Sequence, residues 1–94
     1  MTIDAIRAVE EALTDRFPDA EVRSCPDDRD QGFCFRVAVK ERIIAVLIVT
    51  FDFLEETAPE HIERQFRARG VERRLRLAGR NEAVLLTTKD VRVC

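Results

Sequence analysis

The stretch "IIAVLIVTFDF", Ile43 to Phe53, decides how this chain folds. Read with a period of two, one face carries Ile43, Ala45, Leu47, Val49, Phe51 and Phe53, all apolar. The other face carries Ile44, Val46 and Ile48 before it turns polar at Thr50 and Asp52. A strand that is apolar on both faces belongs in the middle of a sheet whose two faces are both covered. Leaving Ile44, Val46 and Ile48 in water would forgo about 1.5–3 kcal/mol each. That is a large share of the stability of a small domain. These three residues therefore form a packing face that needs a cover, either a helix or a second copy of the chain.

The sequence on either side supplies the rest of such a sheet. Upstream, "FCFRVAV" (Phe33 to Val39) alternates with Phe33, Phe35, Val37 and Val39 on one side and Cys34, Arg36 and Ala38 on the other. The polar step "KER" joins it to the middle strand as a hairpin. "AEVRSC" (Ala20 to Cys25) reads as a short strand near an edge, followed by the polar loop "PDDRDQG". Before it, Ile6, Val9, Leu13 and Phe17 recur at helical spacing between Ile3 and Arg16, with Thr2 as N-cap and Pro18 as the stop.

Downstream, Thr57 and Glu60 have the spacing of a capping box, Pro59 suits a first turn, and a helix is expected from Ala58 to Arg69, ending at Gly70. "VERRLRLA" (Val71 to Ala78) alternates as a strand with Leu75 and Leu77 inward, and "AVLLTT" (Ala83 to Thr88) returns as its hairpin partner. The expected architecture is a single domain over residues 1–94. It is α+β in the order α-β-β-β-α-β-β, with two helices on a mostly antiparallel five-stranded sheet. Two helices on opposite sides would cover both faces. Two on one side would leave the other for a homodimer, which the thin stripe of the second helix (Ala58, Ile62, Phe66) favours.

Composition bounds the function. With 46% apolar and 36% charged residues the chain is globular, neither disordered nor fibrous. The longest apolar run, Ile43 to Val49, is too short to span a bilayer, and the start lacks a signal-peptide pattern. Three cysteines without paired spacing read as reduced thiols, so the expected setting is cytoplasmic.

Charge is placed unevenly: residues 64–80 hold seven arginines and one acid, in a chain of net charge −2. Arg64 follows Glu60, and Arg67 follows Glu63, by four residues, the spacing of solvated helix pairs. Arg69 suits a helix C-terminus. Arg73, Arg74, Arg76 and Arg80 remain. On a strand, Arg74 and Arg76 would point the same way about 6.6 Å apart, able to hold a phosphate, a nucleic-acid backbone or the acids of a partner.

Motifs for chemistry are sparse. Cys25 and Cys34 flank a loop as C-x8-C and could approach as a redox pair, although a C-x-x-C is absent. The sole histidine, His61, has Glu60 and Glu63 beside it, but these point apart around a helix, so no metal site is expected. Asp27, Asp28 and Asp30 lack the closing glutamate of a calcium loop, and no Gly-rich phosphate loop occurs, so no cofactor is expected.

"PD" at Pro26-Asp27, Lys40 thirteen residues later, and the order α-β-β-β-α-β together resemble the core of the PD-(D/E)xK nucleases. That resemblance implies metal-dependent hydrolysis of nucleic acid. The chain departs from it where Ala38 stands at the second carboxylate position and where Lys40 falls in a turn. The leading expectation is a non-catalytic domain that works through protein contacts, with itself or with another protein. A nucleic-acid or phosphate binder built on the arginines is the alternative.

Overall fold

The computed structural model describes residues 2–93. Helix α1 (Thr2–Arg16) leads into three strands, β1 (Glu21–Asp27), β2 (Gly32–Val39) and β3 (Arg42–Thr50). Three helices follow, α2 (Phe51–Glu56), α3 (Ile62–Ala68) and α4 (Val71–Ala78), with a 3-10 turn at Pro59–His61 between α2 and α3. Strands β4 (Val84–Leu86) and β5 (Val91–Val93) complete a five-stranded sheet in the order β1-β2-β3-β4-β5. The α+β class is as the sequence implies, and β3 is the middle strand. All neighbouring pairs are antiparallel except β3 with β4, which is parallel, so the sheet is mixed. No described helix is long and apolar enough to cross a membrane.

Four local readings need correction. The middle strand stops at Thr50, and Phe51 to Phe53 begin α2, where Phe53 and Leu54 are buried. Thr57 closes α2, its N–H donating to the Phe53 carbonyl, and no side chain caps the turn at Pro59, so the capping box does not form. Residues 71–78 are helix and not strand. Val71 and Leu75 share the buried side at i,i+4, while Leu77 is 77% exposed. The antiparallel partner of β4 is accordingly β5.

The parallel pairing of β3 with β4 requires a crossover, and α2, α3 and α4 provide it. All four helices contribute to one buried cluster with the sheet residues Phe35, Val37, Ala45, Leu47, Val49, Val84 and Leu86. Helix α1 contacts α2 and α3 as well as β1 and β2, so the helices form one layer on one face. At the other end of the β2–β3 hairpin, Lys40 and Glu41 both have positive φ, the conformation of a two-residue type I′ turn.

Arginines seal the rim of this core. The Arg16 guanidinium lies 5.3 Å from the Phe66 ring centre, Arg69 5.7 Å from Phe53, and Arg76 4.7 Å from Phe17. Arg16 joins α1 to α3 by donating to both carboxylate oxygens of Glu63, at 2.7 and 2.6 Å, and to the Ala12 carbonyl at 3.0 Å. Arg69 donates to the Thr87 and Thr88 carbonyls at 2.7 and 3.0 Å, holding α3 to the β4–β5 turn.

The hydrogen bonds from Arg16 hold the Glu63 carboxyl below the usual carboxylate range. A group whose pKa is lower in the fold than in the unfolded chain stabilises above the unfolded value, and that contribution is lost as pH falls through the folded one. Glu63 is partly exposed, which limits the pair to about 1 kcal/mol. Glu63→Gln is therefore expected to lower stability modestly at pH 7. Its thermal midpoint is expected to fall less steeply than that of wild type once pH drops below about 4.3. Parallel midpoint-against-pH curves for the two proteins would refute this.

Candidate interaction surface

The face of the sheet opposite the helices is set by the strand register. Cys25 pairs with Cys34, Cys34 with Ile48, Ile48 with Leu85, and Leu85 with Arg92, so these five residues form one row across all five strands. The next row holds Arg23, Arg36 and Val46, and on the other side lie Asp27, Gly32 and Thr50. Cys34, Ile48 and Leu85 make a second apolar cluster, with Val46 and Ala83 packed against it. No helical residue belongs to this cluster. Its members come from β2, β3 and β4 and the residue before β4, and no helix lies over them among the described residues.

Two of the three residues singled out from the sequence meet here. Val46 is half-buried, and Ile48, packed with Cys34 and Leu85, is 7% exposed. Ile44 does not join them. The β2–β3 register slips between Val37 and Ala38, so that Val37 pairs with Ala45 and Ala38 with Ile43. Ile44 is thus the extra residue of a bulge, and it packs against the helix-side cluster. Ile43, 38% exposed, instead lines a depression on the open face with Arg23, Arg36 and Ala38. The sequence carries no local mark of this bulge.

The rim of the patch is charged. Arg23 and Arg36 stand directly opposite each other, an unfavourable pairing, and Glu21 accepts from Arg23 Nε at 2.9 Å. An apolar centre inside a polar rim is the usual anatomy of a protein interface.

The arginine cluster is dispersed by the helical conformation of residues 71–78. On a helix, Arg74 and Arg76 lie about 200° apart around the axis, so the pair of parallel forks expected on a strand does not exist. Arg76 is structural: it donates to Glu72 at 2.9 Å and to the Arg16 carbonyl at 3.1 Å. Arg67 pairs with Glu63 at 3.4 Å as expected, whereas Arg64 makes no ion pair with Glu60 among the described residues. Arg73 and Arg74 have no acid within ion-pair distance among the described residues, and line a shallow depression with Arg67, Arg69 and Leu77 at the α3–α4 corner. Arg80 lies beyond α4, in the turn that leads to β4.

The remaining candidates stay apart. Asp27 accepts from the N–H groups of Arg29 and Asp30 at 3.0 and 3.3 Å, shaping the β1–β2 loop. It pairs with Gly32 at one end of β2, and Lys40 follows the other end, about 23 Å away by strand rise. The two residues that carry the nuclease resemblance are therefore not brought together. Glu63, beside His61 in sequence, is taken up by Arg16. No family model, no characterised protein sequence and no solved structure matches the chain.

Proposed function

We propose that this chain is a non-catalytic interaction domain that self-associates through the helix-free face of its sheet, in a cytoplasmic setting consistent with its reduced thiols. The observation that carries the reading is the one-sided helix layer, which leaves Cys34, Val46, Ile48, Ala83 and Leu85 under no helix.

The row is suited to a second copy of itself. Ile48 is its midpoint, on the central strand. A two-fold axis parallel to the strands through Ile48 sets Leu85 over the partner's Cys34, a large side chain against a small one. The same axis lays β5 over the partner's β1, with Arg92 over the partner's Cys25. Each of these contacts occurs twice, as an isologous interface requires. The helix layer then faces outward in both protomers, carrying Arg73 and Arg74, which have no acid partner among the described residues, beside the exposed Leu77 toward an acidic protein surface.

Light scattering at micromolar concentration tests this. Wild type is expected at twice the chain mass of 10.8 kDa, and Val46→Asp at the single mass with its circular dichroism unchanged. A wild-type monomer at every concentration, or a dimer that Val46→Asp leaves intact, overturns the reading.

A further inference from the structure

We propose that Cys25 and Cys34 form a dithiol pair that closes into an intramolecular disulfide when the protein meets a disulfide oxidant such as oxidised glutathione. The two residues are register partners on adjacent antiparallel strands. Directly opposed residues in such a pair have Cα atoms about 4.5–5.5 Å apart. A disulfide spans Cα separations of about 4.4–6.8 Å, so either kind of antiparallel pair falls inside the window. Both side chains project from the helix-free face, since Cys25, Cys34, Ile48 and Leu85 lie in one row. Both thiols are free.

Their surroundings divide the roles. Cys25 is exposed, on the edge strand β1, and open to a soluble oxidant. Cys34 is buried at 8% exposure. Burial pushes its thiol pKa up, with the Arg36 guanidinium beside it opposing the shift. Cys25 is therefore the attacking thiol. Its thiolate displaces one glutathione thiolate from oxidised glutathione and forms a mixed disulfide, after giving its proton to solvent. Cys34 then loses its proton and attacks the Cys25 sulfur, and the second glutathione leaves as its thiolate. Two protein thiols are oxidised, one glutathione disulfide is reduced to two thiols, and electrons balance. The exposed Cys25 sulfur leaves the product open to attack by a reducing thiol, so the step is reversible.

Both sulfurs belong to one chain, so the pair closes within the monomer, where Cys25 is open; in the dimer proposed above the partner's β5 lies over it. The pair also needs nothing from the third cysteine, Cys94. The test uses the Cys94→Ser protein, reduced, freed of reductant, exposed to oxidised glutathione at neutral pH and quenched with acid. The expected intact mass is lower by two hydrogen atoms. Trypsin cuts after Arg29, between the two cysteines, so non-reducing digestion is expected to yield Ser24–Arg29 joined to Asp30–Arg36. Dithiothreitol is expected to separate the two peptides. In Cys34→Ala/Cys94→Ser, which lacks the resolving thiol, the chain is expected to gain one glutathione at Cys25 and hold it. Repeating the oxidation in Val46→Asp/Cys94→Ser reads the thiol pair whether or not the chain dimerises. In Val46→Asp/Cys94→Ser, a stable glutathione adduct on Cys25 with Cys34 still reduced, linkage only between chains, or no reaction would each overturn the proposal.

Discussion

Gly32→Ala is expected to lose more than about 3 kcal/mol, beyond the usual range for one added methyl group. A Cβ at Gly32 would lie 2.1 Å from the Val49 carbonyl oxygen, 2.8 Å from its carbon and 2.9 Å from the Thr50 Cα. All three are backbone atoms of β3, so no rotamer change relieves the contact. The position is also a junction. Gly32 opens β2, pairs with Asp27 on one side and Thr50 on the other, and follows Gln31, whose carbonyl accepts the Phe51 N–H at 2.9 Å. Making room means separating β2 from the middle strand where α2 begins. Gly70→Ala is the proper control: φ is +62° there, yet nothing lies within 4 Å of the added atom. It is expected to cost only the left-handed conformation, about 1–2 kcal/mol. Urea unfolding of the three proteins separates the cases. A Gly32→Ala midpoint no lower than that of Gly70→Ala would show that the backbones do not approach so closely.

What the sequence made legible follows from which periods were unambiguous. β2 and β3 alternate with large apolar residues over seven or more positions, and only a strand buries both sets. α1 was equally plain, since Val9 and Leu13, four residues apart, are fully buried. Residues 71–78 fit two periods at once. Leu75 and Leu77 alternate as in a strand, while Val71, Leu75 and Ala78 recur as in a helix. Composition held the deciding signal, because Glu, Arg, Leu and Ala are all strong helix formers and only Val71 is β-branched. That one exchange removed the two-arginine fork, exposed Leu77 and moved the last strand to Val91–Val93. The apolar back of β3 was visible in the sequence, but the side on which the helices lie was not. The side depends on the crossover from β3 to β4, a non-local pairing of short strands. The opposition of Cys25 and Cys34 depended likewise on how the eight residues between them, four of which form the loop, fold back.

Phe66→Ala is expected to cost about 3–5 kcal/mol, the range for removing a buried ring from a core. Unfolding free energies of single domains are about 5–15 kcal/mol, so the variant would stand near the edge of folding. The stripe of α3 is thin, and Ile62 and Phe66 are its two buried residues, each 1% exposed. The ring does two jobs. It fills the core beneath α3, and its face supports the Arg16 guanidinium at 5.3 Å, which in turn holds Glu63. Phe66→Leu keeps an apolar filling of similar volume and is expected to lose less than about 1.5 kcal/mol from packing. It still removes the ring face, so the Arg16 contact is lost in both variants. A cycle combining Phe66→Leu with Arg16→Ala is therefore expected to show coupling of about 0.5–2 kcal/mol. Stability measured by urea unfolding supplies both quantities. A Phe66→Ala loss below about 1 kcal/mol would mean that α3 is held by its arginine links alone, and a coupling of zero would mean that Arg16 gains nothing from the ring.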